Sequence, residues 1–179
     1  MTDKVKQRKE LKKKLAALSE TDKQSFSRCI SEAAISSDVF FRAKRVFVFR
    51  STKDEPDTAP IIKAALAMGK EVYLPRTEGE DMFLIRYKED AEFFVNDFGI
   101  EEPLGEPCSV RPDLAFVPLL GFDKNRNRIG RGKGYYDRFL ASFDGDSLAL
   151  AFSAQELPDI SVNERDEKPN RILTEKGIL

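Results

Sequence analysis

Residues 45–74 read RVFVFRSTKDEPDTAPIIKAALAMGKEVYL, and their order decides the fold class. Arg45 to Arg50 is rich in β-branched and aromatic side chains and predicts a strand. Ser51 to Asp57 is polar and predicts a loop. Thr58 suits a helix N-cap, and Pro60 is tolerated in a first turn, where its missing N–H has no intrahelical partner. Ala59 to Met68 then predicts a helix, closed by Gly69 just past its C-terminus. Glu71 to Leu74 predicts a second strand, stopped by Pro75. Strand, loop, helix and strand in this order make a βαβ unit, so the two strands run parallel and the helix covers one face.

Upstream, residues 3–18 predict a helix with Leu11, Leu15 and Leu18 as its apolar stripe and Glu10 placed to pair with Lys14. Its polar side carries Lys4, Lys6, Arg8, Lys9, Lys12, Lys13 and Lys14. These form either a solvated basic face or a face from which one or two cations reach a phosphate. Ser19-Glu20-Thr21-Asp22 has the form of a capping box. The helix it starts runs to about Ser37, with Phe26, Ile30, Ala33 and Ala34 inward and Cys29 as a small core residue.

Downstream, Met82 to Tyr87 predicts a strand after the turn Gly79-Glu80-Asp81. Ala91 to Asn96 is ambiguous, and Gly99 to Pro112 reads as an irregular connection. Leu114 to Val117 and Ser147 to Phe152 predict buried strands, and Val162 to Leu173 a loop with a terminal strand. The chain therefore predicts a single α/β domain over residues 1–179, three-layered as α/β/α, Rossmann-like, with a mostly parallel central sheet. Ligands of such sheets bind beyond the strand carboxyl ends. Three polar loops follow predicted strands and should converge there: Ser51–Asp57, Gly121–Gly134 and the stretch after Phe152.

Composition narrows the chemistry. Histidine is absent, which excludes Ser-His-Asp and Cys-His nucleophiles and leaves a zinc site short of ligands. A metal, if used, should be a hard cation held by oxygen, such as Mg²⁺. The net charge of −1 gives no global basic field, so no nucleic-acid partner is expected. No apolar run is long enough for a membrane span, and the first residues lack the apolar core of a secretory leader. Cys29 and Cys108 lie far apart, which suits free thiols in the cytoplasm.

The most chemically specific stretch is Arg128-Ile129-Gly130-Arg131-Gly132-Lys133-Gly134-Tyr135-Tyr136-Asp137. Alternating glycines leave backbone N–H groups free to curl around an anion, and Arg131 and Lys133 add charge. This is not a Walker A loop, which requires four residues before Gly-Lys and then Ser or Thr. Nor is it GxGxxG, because Tyr135 stands where the third glycine would be. Tyr135 to Phe143 predicts a helix with Tyr136, Phe139, Leu140 and Phe143 on one face, which sets Tyr136 inward and Tyr135 toward the site. Asp137 is either a first-turn carboxylate facing the helix dipole or a Mg²⁺ ligand beside a phosphate. Glu55 is either a solvated loop acid or a fixed acceptor for the N–H edge of a heterocycle. Asp166, in a highly charged stretch, reads as a surface acid.

The longer string Phe116 to Asp137, FVPLLGFDKNRNRIGRGKGYYD, resembles the signature of the 5-formyltetrahydrofolate cyclo-ligase family, also called 5,10-methenyltetrahydrofolate synthetase. The resemblance extends over nearly the whole chain, with Gly121–Asp137 as its specific part. It implies a ligase of one-carbon metabolism that uses ATP and Mg²⁺ to convert 5-formyltetrahydrofolate. It implies ATP binding by Lys4 and Arg8 and by the run Arg128, Ile129, Gly130, Arg131, Gly132, Lys133, Gly134, Tyr135 and Tyr136. Folate would meet Glu55, Arg50 and the Arg131–Tyr135 edge, and Mg²⁺ would meet Asp137 and Asp166. Arg131, Lys133 and Asp137 would carry the catalysis. Arg165 and Asn170 stand where relatives commonly have His and Asp, and Arg50 and Lys53 are unusual beside Glu55. The expected assembly is a monomer or weak dimer, with neither nucleic acid nor membrane as partner. The alternatives are another ATP-dependent phosphotransferase or a sugar-phosphate isomerase on a similar sheet, or a non-catalytic folate- or nucleic-acid-binding protein.

Overall fold

The structure is a computed structural model that describes residues 3–96 and 99–179. It opens with α1 (Asp3–Ala16), α2 (Glu20–Ile35) and α3 (Asp38–Arg42), followed by β1 (Arg45–Val48), α4 (Ala59–Ala67), β2 (Glu71–Glu78) and β3 (Asp81–Tyr87). Then come β4 (Phe93–Val95), β5 (Glu101–Pro103), β6 (Leu114–Pro118), β7 (Gly121–Phe122) and β8 (Arg128–Ile129). The chain ends with α5 (Tyr135–Ala141), β9 (Asp146–Leu150), a 3₁₀ turn at Ser153–Gln155, β10 (Arg171–Thr174) and β11 (Gly177–Ile178).

The main sheet has seven strands in the order β11-β10-β9-β6-β1-β2-β3. The run from β10 to β2 is parallel, and β3 and β11 close the edges as antiparallel neighbours. Alternate side chains of each strand face opposite ways. Val46, Val48, Leu114, Phe116, Leu148 and Leu150 join one core with Leu11 and Leu15 of α1, Ile30 of α2, Phe40 of α3 and Ile61 of α4. Phe47, Ala115, Val117 and Ala149 join the other core with Leu140, Phe139 and Phe143 of α5. Burial on both faces explains why the parallel strands read as continuous apolar runs. The fold is the α/β/α arrangement with a mostly parallel sheet.

The topology also fixes where a ligand can sit. β1 and β6 are neighbours, yet the helix after β1 packs on one face and the helix after β6 on the other. The loops leaving these two strands therefore part, and the gap between them is the crevice in which α/β sheets bind ligands.

Local differences from the sequence reading have local causes. Pro75 does not stop β2: pairing with β1 ends at Tyr73, and beyond it β2 pairs with β3 alone, an edge where proline is tolerated. α2 ends at Ile35, because the Ser37 hydroxyl donates to the Ala34 carbonyl (2.7 Å) and accepts from the Phe40 N–H (3.3 Å), closing one helix and starting α3. Ala33 and Cys29 lie on the exposed side of α2, while Ile30 and Ala34 are buried. Thr58 holds the N-cap position of α4, but its hydroxyl donates to the Phe49 carbonyl (2.8 Å) and caps nothing. The ambiguous 91–96 stretch contains β4, and the connection read as irregular supplies its partner β5.

Gly121 lies against α1: a Cβ there would stand 2.3 Å from Leu11 Cδ1, and Leu11 is fully buried. Gly121→Ala should lower the unfolding free energy in urea by about 1–3 kcal/mol. In a Leu11→Ala background the same change should be much milder, because the clash is gone.

Candidate active site

The loop after β1 folds on itself. The Glu55 N–H donates to the Thr52 carbonyl (3.1 Å), and Glu55 Oε2 accepts from the Thr52 N–H (2.8 Å) and hydroxyl (3.0 Å). Below it, Ser51 and Thr58 exchange hydrogen bonds of 3.2 Å each way, fixing the start of α4. The Glu55 side chain is only 10% exposed, so the acid is held rather than solvated.

The loop after β6 is organised from inside. β7 and β8 form a two-rung antiparallel ladder, and the turn between them wraps Asp123, which is fully buried. Asp123 accepts from the Asn127 amide (2.7 Å) and from the N–H groups of Asn125 (2.8 Å), Asn127 (3.1 Å) and Ile160 (3.0 Å). Burial pushes its carboxyl up, but these hydrogen bonds outweigh that and hold it below the usual carboxylate range. Buried Gln155 adds a brace, donating to the carbonyls of Leu119 (3.1 Å) and Leu120 (3.0 Å). The glycine segment emerges from this frame with Gly132 at φ 110° and Gly134 at φ 73°, conformations that L side chains rarely adopt.

Three ion pairs then join the crevice. Arg131 Nη2 meets Glu55 Oε1 at 3.2 Å and the Thr52 hydroxyl at 3.0 Å, bridging the loops after β6 and β1. Arg128, almost fully buried, pairs with Asp137, whose Oδ1 also accepts from the Glu167 N–H at 3.2 Å. Lys4 of α1 pairs with Asp166, whose Oδ2 also accepts from the Asn163 N–H at 2.6 Å. Arg8 donates from Nε to the Gly130 carbonyl at 2.9 Å, and its guanidinium lies beside Gly132. The basic face of α1 thus divides: Lys4 and Arg8 reach the site, while Lys6 points to solvent.

The tyrosines separate as well. Tyr136 stacks on Phe47 with ring centroids 6.2 Å apart, and its hydroxyl pKa is pushed up by burial and then by the Glu55 charge. The Tyr135 hydroxyl donates to the Gly79 carbonyl (2.7 Å) in the β2–β3 turn, where Arg138 also reaches, donating to the Glu80 carbonyl. Ile129 is buried in the β7–β8 ladder, and Lys133 lies on the exposed part of the loop. Arg50 is placed elsewhere: it pairs with Glu101 of β5 and lies 4.4 Å from the Phe93 ring centroid of β4, at a cleft beside α4. Asn170 is also away from the crevice; its Oδ1 accepts from the Ser147 N–H (2.7 Å) and hydroxyl (2.8 Å) at the start of β9. The cavity of about 620 Å³ at that end of the sheet is lined by acids and bases already paired, Arg45 with Asp113 and Arg111 with Asp144.

Among the described residues, no group of three or more His, Cys, Asp or Glu forms a metal cage. Mg²⁺ needs no such cage, because it takes one or two carboxylates and completes its shell with water and phosphate oxygens. Asp137 and Asp166 fit that pattern. Their hydrogen bonds gather on Oδ1 of Asp137 and Oδ2 of Asp166, and the Glu167 N–H contact brings the chain next to Asp166 up to Asp137.

The residues that sequence reading missed are Thr52, Asp123 and Gln155. A threonine in a polar loop and a buried acid inside a turn carry no periodic signal. Their partners are fixed only when distant segments meet.

The family model of the 5-formyltetrahydrofolate cyclo-ligase family matches residues 1–175. The chain belongs to that family. A mouse (Mus musculus) 5-formyltetrahydrofolate cyclo-ligase is 35% identical, over 94% of this chain and 91% of that protein. A Haemophilus influenzae 5-formyltetrahydrofolate cyclo-ligase is 30% identical, over 89% and 90%. The solved structure of Aquifex aeolicus 5,10-methenyltetrahydrofolate synthetase superposes with a TM-score of 0.86 at 32% identity, covering 99% of this chain and 92% of that one. The family is one of ligases, and this chain is an enzyme of that class. Among the described residues no helix is long and apolar enough to cross a membrane.

Because Asp123 sits below its usual pKa in the folded protein, its stabilising effect is complete above the unfolded value near pH 4. That effect is lost as pH falls through the folded value. Asp123→Ala should destabilise the protein by about 3 kcal/mol at neutral pH through the orphaned donors. It should also flatten the acid limb of a stability–pH curve measured by urea unfolding.

Proposed function

We propose that the protein converts 5-formyltetrahydrofolate to 5,10-methenyltetrahydrofolate, consuming ATP in the presence of Mg²⁺ and releasing ADP and phosphate. Residues 1–179 would act as one catalytic domain. Family membership supports the folate substrate and the ligase class. The observation that carries the reading is the 3.2 Å contact between Arg131 and Glu55. It sets a cationic glycine loop suited to phosphate directly beside a held carboxylate suited to the N–H edge of a pterin.

The chemistry follows from the leaving group. The formyl carbon is amide-like, and its oxygen leaves poorly. The formyl oxygen would attack the γ-phosphorus of ATP, forming a P–O bond as the bond to ADP breaks. N10 of the folate would then add to the activated carbon and lose its proton, and the C–O bond would break with phosphate as leaving group. Such a sequence needs positioning and charge neutralisation more than a strong base, so a chain without histidine is no obstacle. Arg131, Lys133, Arg8, Lys4 and Arg128, with the N–H groups of Gly130, Gly132 and Gly134, would hold the phosphates, and Ile129 and Tyr136 would shape the nucleotide pocket. Glu55 would orient the pterin against the Arg131–Tyr135 edge. Mg²⁺, held by Asp137 and Asp166, would supply neutralisation of the phosphate charge. Arg50 joins this scheme only at its margin, since its contacts belong to β4 and β5.

The test is the methenyl absorbance of purified protein. It should appear only when 5-formyltetrahydrofolate, ATP and Mg²⁺ are all present, and omission of any one should abolish it. Lys133→Ala and Asp137→Ala should each lower kcat about 100-fold or more. Full ATP-dependent activity in either variant would contradict the assignment.

A further inference from the structure

Glu55 is not an open acceptor in this structure. Its two oxygens have different partners and different permanence. Oε2 is bound twice by Thr52, through the N–H at 2.8 Å and the hydroxyl at 3.0 Å, within a turn that the Glu55 N–H itself closes. Oε1 is bound by Arg131, from another loop, at 3.2 Å. The Thr52 hydroxyl stands in both contacts, accepting from Arg131 at 3.0 Å while donating to Glu55. The Thr52–Glu55 contact is local and lies in the sheltered part of the site, whereas the Arg131 side chain is 53% exposed and its pairing is screened by solvent. One end of the carboxylate is therefore fixed and the other is exchangeable.

We infer that Thr52 is a positioning residue that holds Glu55 by one oxygen while the other passes between Arg131 and the pterin, so that nucleotide and folate bind synergistically. The inference rests on the assignment of phosphate to Arg131 and of pterin to Glu55. With no nucleotide bound, Arg131 satisfies Oε1 and competes with the folate. A phosphate that draws Arg131 away leaves Oε1 without its protein donor, at the modest cost of a half-exposed ion pair. The N–H edge of the pterin then restores that bond. The carboxylate does not swing as its partner changes, because Thr52 keeps Oε2 in place. Binding energies are reciprocal, so folate must tighten nucleotide by the same factor. A half-exposed ion pair is weak, which sets the synergy at about two- to fivefold.

The experiment measures 5-formyltetrahydrofolate binding by calorimetry, with and without a non-hydrolysable ATP analogue and Mg²⁺, in the full chain. The proteins compared are wild type, Thr52→Val and Thr52→Ser. In wild type the analogue should tighten folate binding about two- to fivefold. Thr52→Val keeps the N–H but removes the hydroxyl. It should weaken folate binding roughly tenfold, erase most of the synergy and raise the folate KM more than it lowers kcat. Analogue affinity without folate should not weaken, because the lost hydroxyl is a competing partner of Arg131, and the thermal midpoint should stay near the wild-type value. Thr52→Ser should restore both folate affinity and synergy. Absence of synergy in wild type, or equal behaviour of the Val and Ser variants, overturns the inference. ATP-dependent methenyl formation by the same wild-type sample is measured alongside. If turnover is present without synergy, only the inference fails, and if turnover is absent the functional assignment fails first.

Discussion

Two adjacent parallel strands, β1 and β6, send the chain to opposite faces of one sheet, and the rest of the site depends on that divergence. A strand order that kept both following helices on one face would close the gap between the two loops. With the helices on opposite faces, Glu55 and Arg131 face each other across it, although they are far apart in sequence. The loop after β9 closes the third side through the Glu167 contact to Asp137, and α1 lies across the glycine segment through Arg8.

The acids of the crevice are paired within the protein, although buried Arg128 Nε has no hydrogen-bond partner among the described residues. Each acid assigned to a ligand, Glu55, Asp137 or Asp166, already has a cation: Arg131, Arg128 or Lys4. This lets a site rich in charge exist without ligands, since buried unpaired charges are expensive. On the proposed reading, ligand binding would be an exchange, in which anionic phosphates would take the cations, and a metal ion and the pterin donors would take the acids. A hydrogen-bonded frame holds these groups. Asp123 and Gln155 fix the β6 loop from beneath, and Thr52 fixes Glu55 from its own turn.

The βαβ unit, the buried strands and the helix after the glycine loop were legible because each has a period or an apolar run that local chemistry explains. Pro75 misled because its tolerance depends on which strands flank β2, information that lies at residues 45–47 and 81–87. Ala33 and Cys29 misled because apolar or small residues in an amphipathic helix need not face the core. The glycine loop, Glu55, Asp137, Lys4 and Arg8 stood out by residue type and resemblance, and the fold brings them to one crevice. Arg50 did not follow, since the β4–β5 hairpin that captures it gave only a weak strand signal. Thr52 and Asp123 were invisible for the same physical reason: their importance lies in the donors that surround them, not in their own type.

On the proposed mechanism, the cationic loop would direct the ATP γ-phosphoryl group onto the formyl oxygen of a folate held by Glu55. Turnover of 5-formyltetrahydrofolate carrying oxygen-18 in the formyl group, followed by mass analysis of the released inorganic phosphate, tests it most directly. Each released phosphate should carry one labelled oxygen, because the formyl oxygen would depart bonded to phosphorus. Label found in water, with unlabelled phosphate, would contradict it.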